Sequence, residues 1–192
     1  MKRFKETGTE HGVRKDMQTK LNLLSEIAKR DEKSRFDNLA YLLSEENLKE
    51  CFKMLKKGKA AGIDGVVVEE YEKDLESNLK NLVTKMKSQS YKPQPVRRTY
   101  IAKSNGKLRP LGIPAVEDKI VQRGIARVLE SIYEVDFLDF SYGFRPHRSC
   151  HQALKRLNQV IMSQPINYII DADIKGFFDC VDHEWLMKFL GV

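Results

Sequence analysis

The sequence predicts an α+β fold, mostly helical, with one basic β-hairpin and one strand near the C-terminus. Three observations predict it. Apolar residues recur at helical spacing through most of the chain, as in Tyr71, Leu75, Leu79, Leu82 and Met86. That pattern gives way between Val96 and Ile113 to two β-rich runs around Ser104-Asn105-Gly106, a tight-turn signal. A third β-rich run, Ile166 to Ala172, reads as a buried strand that ends in a cluster of aspartates. With 192 residues and 41% hydrophobic content, the chain can bury a real core.

Each element follows from local signals. Residues 1–16 lack an apolar period and read as a flexible basic arm. Leu21, Leu24 and Ala28 predict a helix from Met17 to about Lys33, and Phe36 to Leu43 a short helical piece. Ser44 is placed to cap a helix carrying Leu48, Phe52 and Leu55, which ends near Gly58. Ala61-Gly62-Ile63-Asp64-Gly65 is a turn signal, followed by a long helix through Met86 that the prolines at 93 and 95 terminate. After the hairpin, Pro114 leads into a helix over 116–133, with Ile120, Gly124, Ile125, Val128, Leu129 and Ile132 expected inward. Residues 135–148 form a loop rich in aromatics and arginine. Ser149 caps a helix through Met162, and Asp182 caps a last one.

Composition narrows the function classes. No stretch approaches the ~18 consecutive apolar residues of a membrane span. The first twenty residues are charged throughout and have no secretory core. Cys51, Cys150 and Cys180 are too scattered for a disulfide framework or a zinc site, so a reducing, cytoplasmic setting is expected. The net charge of +7 is segregated: residues 91–127 hold nine bases against two acids, whereas 165–192 hold two bases against five acids. Basic blocks of this kind suit a polyanion, because each cation that meets a phosphate releases counterions.

Asp171, Asp173, Asp179 and Asp182 fall within twelve residues. If the strand persists, Asp171 and Asp173 share a face. A carboxylate at a strand end with a neighbouring carbonyl is a hard-oxygen site suited to Mg²⁺, as phosphoryl and nucleotidyl transfer require. Three chemistries use such a motif: a polymerase palm, a haloacid-dehalogenase-like phosphatase, and a nucleotide-sugar transferase that holds Mn²⁺. An acidic loop with Asp182 as a cap is the plain alternative. A phosphatase needs the motif on the first strand of a large α/β domain, and a sugar transferase needs a nucleotide-binding α/β unit upstream. Here the upstream region is helical with a basic hairpin, the arrangement a polymerase predicts. In that hairpin, a register pairing Ile101 with Arg109 puts Arg97, Lys103, Lys107 and Arg109 on one face, where cations can converge on a triphosphate. A two-residue loop would instead separate Arg109 from Lys103. The plain alternative is a charged edge that discourages strand pairing.

These residues carry a resemblance. Ile101-Ala102-Lys103-Ser104-Asn105-Gly106-Lys107-Leu108-Arg109-Pro110-Leu111-Gly112-Ile113-Pro114, continued by Asp118-Lys119-Ile120-Val121-Gln122, resembles the first conserved block of bacterial group II intron-encoded reverse transcriptases. Ser141-Tyr142-Gly143-Phe144-Arg145-Pro146-His147-Arg148-Ser149 resembles the second, and Asp171-Ala172-Asp173-Ile174-Lys175-Gly176-Phe177-Phe178-Asp179 the third, polymerase motif A. Gly62-Ile63-Asp64-Gly65-Val66 resembles the family's N-terminal block. The blocks occur in order over about residues 40–190.

The resemblance implies the fingers of a right-hand polymerase with a partial palm. Residues 1–35 would form a basic arm and helix, 36–165 the fingers and 166–192 the start of the palm. It implies RNA-directed DNA polymerase activity and a maturase role on group II intron RNA, with an RNA template, a DNA primer and dNTPs as partners. Asp173 would be the catalytic metal ligand for Mg²⁺ (or Mn²⁺), helped by the Ile174 carbonyl. Phe178 would exclude a 2′-hydroxyl. Lys103 and Arg109 would hold the triphosphate with Arg97 nearby, and Arg145 would line the nucleotide and template pocket. Lys49, Lys53, Lys56, Lys57 and Lys59 are the expected RNA-facing cations. Retron, CRISPR-associated and diversity-generating reverse transcriptases share this core, and a pure RNA-binding module is a further alternative. The family's Tyr-x-Asp-Asp motif does not occur in these 192 residues, which are therefore expected to be a fragment that binds RNA without polymerising alone. No membrane association is expected. An unpaired palm strand could join two copies into a homodimer.

Overall fold

The computed structural model describes residues 17–31, 33–102, 104 and 106–191. The arm read for residues 1–16 lies outside them, as does Lys103. Two compact units divide after Leu138.

The first unit is helical with a single hairpin. Its elements are α1 (Met17–Arg30), a 3-10 turn (Leu39–Leu42), α2 (Glu45–Lys53), α3 (Val68–Lys73), α4 (Leu75–Lys87), β1 (Arg97–Ala102), β2 (Leu108–Ile113) and α5 (Val116–Tyr133). Ser44 caps α2 by accepting from the Asn47 N–H, as its position before two glutamates predicts. Helix α5 runs over the 116–133 span expected from its pattern.

Two apolar clusters share α5. One gathers Leu48 and Phe52 of α2, Val68 and Tyr71 of α3, and Leu79 and Leu82 of α4 around Val116, Ile120 and Val121. The other joins Met17, Leu21 and Leu24 of α1 to Leu42, Val128 and Ile132. Gly124 lies between these two stretches of the helix, where a Cβ would come within 2.7 Å of Leu43 Cδ2. Ile125, expected inward, is exposed instead, because the two clusters take the stripe through 120, 121, 124, 128 and 132.

The helix read from the turn through Met86 is two helices. It breaks at Asp74, whose φ of −118° and ψ of 34° leave the helical region. The Asn78 side-chain amide donates to the Tyr71 carbonyl at 3.1 Å, taking the acceptor that an unbroken helix would offer to residue 75.

The hairpin register is the one expected for convergent cations. Ile101 pairs with Arg109, Thr99 with Leu111 and Arg97 with Ile113. Gly106 has φ +76°, the left-handed turn position that glycine supplies at least cost.

The second unit contains α6 (Cys150–Ser163), a 3-10 turn (Phe177–Asp179) and α7 (His183–Phe189). Ser149 and Asp182 cap the two helices as expected. The strand read over 166–172 is absent. This segment is extended coil without ladder bonds, and Tyr168, Ile169 and Ile170 are exposed. A strand exists only by pairing, and among the described residues the only sheet is the β1–β2 hairpin. The alternation that put Asp171 and Asp173 on one face therefore does not apply.

The turn at 62–65 approaches the start of α5 backbone to backbone. A Cβ on Gly62 would lie 2.6 Å from Ala115 Cα and 2.7 Å from its nitrogen. Gly62→Ala is expected to destabilise the first unit by about 1–3 kcal/mol, because neither backbone can yield cheaply. Gly143→Ala, with nothing near its Cβ position, is expected to stay within about 0.5 kcal/mol. Urea unfolding of both variants checks the contrast.

Candidate nucleotide and nucleic-acid site

Beyond its root, the hairpin is exposed on both faces. Opposite residues of an antiparallel pair share a face, so Arg97 and Arg109 lie on one side with Thr99, Ile101, Leu111 and Ile113. Arg109 sits opposite Ile101, four residues from Arg97 along the strand, so the two arginine Cα atoms are about 13 Å apart. Arg98 takes the other face with Tyr100. No ion pair among the described residues involves Arg97, Arg98 or Arg109. The position of Lys103 in this arrangement lies outside the described residues.

The hairpin root is built around a buried carboxylate. Asp118, in the first turn of α5, is 3% exposed. One carboxylate oxygen accepts from Tyr91 Oη at 2.5 Å and the other from the Gln94 backbone N–H at 3.0 Å. Buried charge is tolerated when it is hydrogen-bonded, and the N-terminus of a helix favours an anion. Beside it, Glu117 accepts from Tyr71 Oη at 3.5 Å and pairs with Lys85 at 3.6 Å. Val96 packs over Gly112, where a Cβ would be 2.8 Å from Val96 Cγ2. Asp118 entered the sequence reading only as part of the first block. Its signal is an acid on the apolar stripe of α5, three residues before Val121.

The lysines expected to face RNA divide into two groups. Lys49 pairs with Glu76 at 2.9 Å, Lys53 with Glu50 at 2.7 Å, and Lys57 with Glu72. The Lys49 partner holds the Glu76 carboxyl below its ordinary value, and the Gly58 N–H does the same for Glu69. Lys56 and Lys59 have no ion pair among the described residues. Counting lysines over residues 49–59 could not reveal the Lys49 and Lys57 pairs, because Glu76 and Glu72 come from α4 and α3.

In the second unit, the aromatic and arginine loop is held by its own arginines. Arg145 donates to the Ser141 carbonyl at 2.8 Å. Arg148 donates to the Asp139 carbonyl at 3.0 Å and lies over the Tyr142 ring. Phe144 and His147 adopt positive φ, and the Phe144 ring is fully exposed. Asp173 and Ile174 lie in the exposed coil. Phe178 is 89% exposed, edge-on to Phe177 with ring centroids 5.2 Å apart. No group of three or more metal-ligating side chains occurs among the described residues. Asp173 and the Ile174 carbonyl are hard-oxygen donors, a partial donor set for Mg²⁺, which usually keeps waters and substrate phosphates as its remaining ligands. No described helix is long and apolar enough to cross a membrane.

Residues 101–191 match the family described as reverse transcriptase (RNA-dependent DNA polymerase). Its relatives place it more narrowly. The chain is 40% identical over 153 residues to the group II intron-encoded protein LtrA of Lactococcus lactis subsp. cremoris, covering 79% of this chain and 25% of that protein. It is 39% identical over 180 residues to the protein YkfC of Escherichia coli K12, covering 90% and 46%. A 91 kDa protein in a cob intron of Schizosaccharomyces pombe is 35% identical over 151 residues, covering 78% and 18%. The chain is thus similar to a group II intron-encoded protein and to a protein of another intron, and it spans less than half the length of these curated relatives.

Burial raises both the Tyr91 and Tyr71 phenols above their ordinary value of 10.0; the neighbouring carboxylates Asp118 and Glu117 add to the effect. A raised folded value means that folding favours the neutral phenol. That stabilisation is complete below the ordinary tyrosine value and is lost as pH rises through and above it. Unfolding midpoints are expected to fall above about pH 10 in the wild type, and less steeply in a Tyr71→Phe/Tyr91→Phe variant.

Proposed function

We propose that this chain is the fingers and the beginning of the palm of a group II intron-encoded reverse transcriptase, which also binds intron RNA as a splicing maturase. The observation that carries the reading is the hairpin register. It sets Arg97 and Arg109 on one face of an exposed ribbon, with no ion pair to either among the described residues, at the start of the matched region, which runs from residue 101. A guanidinium offers a fork of donors to phosphate oxygens, and an unneutralised one is available for a triphosphate. By its place in the first motif block, Lys103 is assigned to the triphosphate as well. Asp173, with the Ile174 carbonyl, would hold a divalent ion, Mg²⁺ or Mn²⁺, which when bound supplies charge neutralisation for nucleotidyl transfer. Reverse transcriptases generally use divalent ions. Phe178 is the wall against a ribose 2′-hydroxyl, and Arg145 shapes the template side. The expected setting is the bacterial cytoplasm, and two copies could pair through the unpartnered 166–172 segment.

The RNA-facing role falls most heavily on Lys56 and Lys59. Phosphate must displace a carboxylate to reach Lys49, Lys53 or Lys57. Such exposed pairs are worth no more than about 1 kcal/mol, so these lysines contribute, but less. Replacing Lys56 and Lys59 with alanine is expected to flatten the salt dependence of structured-RNA binding by roughly 1–2 in log–log slope, with folding intact. The Lys49→Ala/Lys57→Ala pair is expected to flatten it less. A wild-type slope near zero would reject the phosphate-gripping surface.

Polymerisation requires more carboxylates than motif A provides. These 192 residues are expected to bind Mg²⁺–dNTP, with Arg109→Ala weakening binding about tenfold or more. They are expected to add no nucleotide to a primer on an RNA template. Incorporation by this chain alone would overturn that division of labour.

A further inference from the structure

The hairpin that presents Arg97 and Arg109 has little of its own to orient it. Both strands are exposed except at half-buried Thr99 and Ile113, and no fully buried side chain from either anchors them to the helices. Its direction is therefore set where it joins the first unit. Three contacts act there. Gly62 meets Ala115 on the outgoing side, Val96 covers Gly112 across the base, and Asp118 holds the incoming side. Only the last is polar and directional. It ties the Gln94 N–H, three residues before β1, to the first turn of α5.

We propose that Asp118 is a positioning residue for the phosphate-binding hairpin, its carboxylate locked between Tyr91 Oη and the Gln94 N–H so that Arg97 and Arg109 are aimed at one fixed angle. The proposal rests on the reading that these arginines grip a triphosphate. The lever is long. From the root at Arg97 to Arg109 is about 13 Å, so a tilt of ~10° at the base moves Arg109 by about 2 Å. Displacements of ~1 Å in a binding constellation already cost up to 100-fold in the chemistry they serve. An apolar residue at position 118 could fill the space but could not accept from both Gln94 and Tyr91. Two acceptor oxygens in a fixed plane restrain rotation as well as distance, which shape-filling alone does not.

The test uses the full 192-residue chain, with calorimetric titration of tripolyphosphate and hydrogen exchange of the backbone amides. Asp118→Ala is expected to weaken tripolyphosphate binding about tenfold. It is expected to speed exchange over residues 94–113 while α1 and the C-terminal half of α5 keep wild-type protection. Asp118→Asn is expected to restore most of the affinity, because its amide can accept from Gln94 and donate to the Tyr91 oxygen. Tyr91→Phe, which keeps the Gln94 bond, is expected to give an intermediate loss of roughly threefold.

The proposal alone is overturned if Arg109→Ala abolishes binding while Asp118→Ala and Tyr91→Phe bind as wild type. It is also overturned if Asp118→Asn binds no better than Asp118→Ala, or if exchange accelerates equally in α1. Should Asp118→Ala fail to fold, unchanged affinity in Tyr91→Phe overturns it. A wild-type chain that ignores tripolyphosphate, or binds it equally well without Arg97 and Arg109, overturns the triphosphate reading and this proposal together.

Discussion

Helix α5 is the element against which the first unit is assembled. Its N-terminal half supplies Val116, Ile120 and Val121 to the cluster of α2, α3 and α4, and its C-terminal half supplies Val128 and Ile132 to the cluster of α1. Each such side chain contributes about 1.5–3 kcal/mol on leaving water. The same helix begins three residues after the hairpin ends, and its first turn carries Asp118. Packing of one helix thus fixes both the core and the base of the ribbon that bears the cations. Gly62 and Gly124 are small for the same reason: one admits the turn of the N-terminal block to the start of α5, and the other lets the 43–48 segment close on its middle.

Charge is used in two different ways on this scaffold. Over residues 49–59, on α2 and the segment after it, three of the five RNA-candidate lysines are paired with glutamates, two of these from the following helices, so much of the apparent basic surface is already balanced. On the hairpin, Arg97 and Arg109 stand on one face without acidic partners among the described residues. Like charges held on an exposed ribbon repel one another, and the fold accepts that cost where an anion can relieve it. The second unit shows the complementary situation. Its acidic segment lies beside exposed apolar residues, Tyr168 to Ile170 and Phe178, none of which is buried. Carboxylates there stay hydrated and open to a cation.

Much of this was legible in the residues. The serine caps at 44 and 149, the aspartate cap at 182, the limits of α5 and the hairpin register all follow from interactions spanning a few positions. The Lys49 and Lys57 pairings, the break at Asp74 and the Asp118 contacts were not. Each depends on a group 7 to 27 positions away in the chain. Sequence periodicity contains no term for such contacts. The strand expected at 166–172 shows the opposite error. Its residues have every preference for β structure, yet preference does not make a ladder without a partner.

The sequence alone therefore determined the local chemistry: which residues cap, turn, alternate and carry charge, and the motif blocks that mark the family. Those properties depend on near neighbours, and near neighbours are written in order. Tertiary structure decided which of the cations are already neutralised, which aspartate is buried as a strut, and which β-prone segment remains unpaired. Such outcomes depend on what packs or pairs across the fold, and only the folded chain brings those partners within reach.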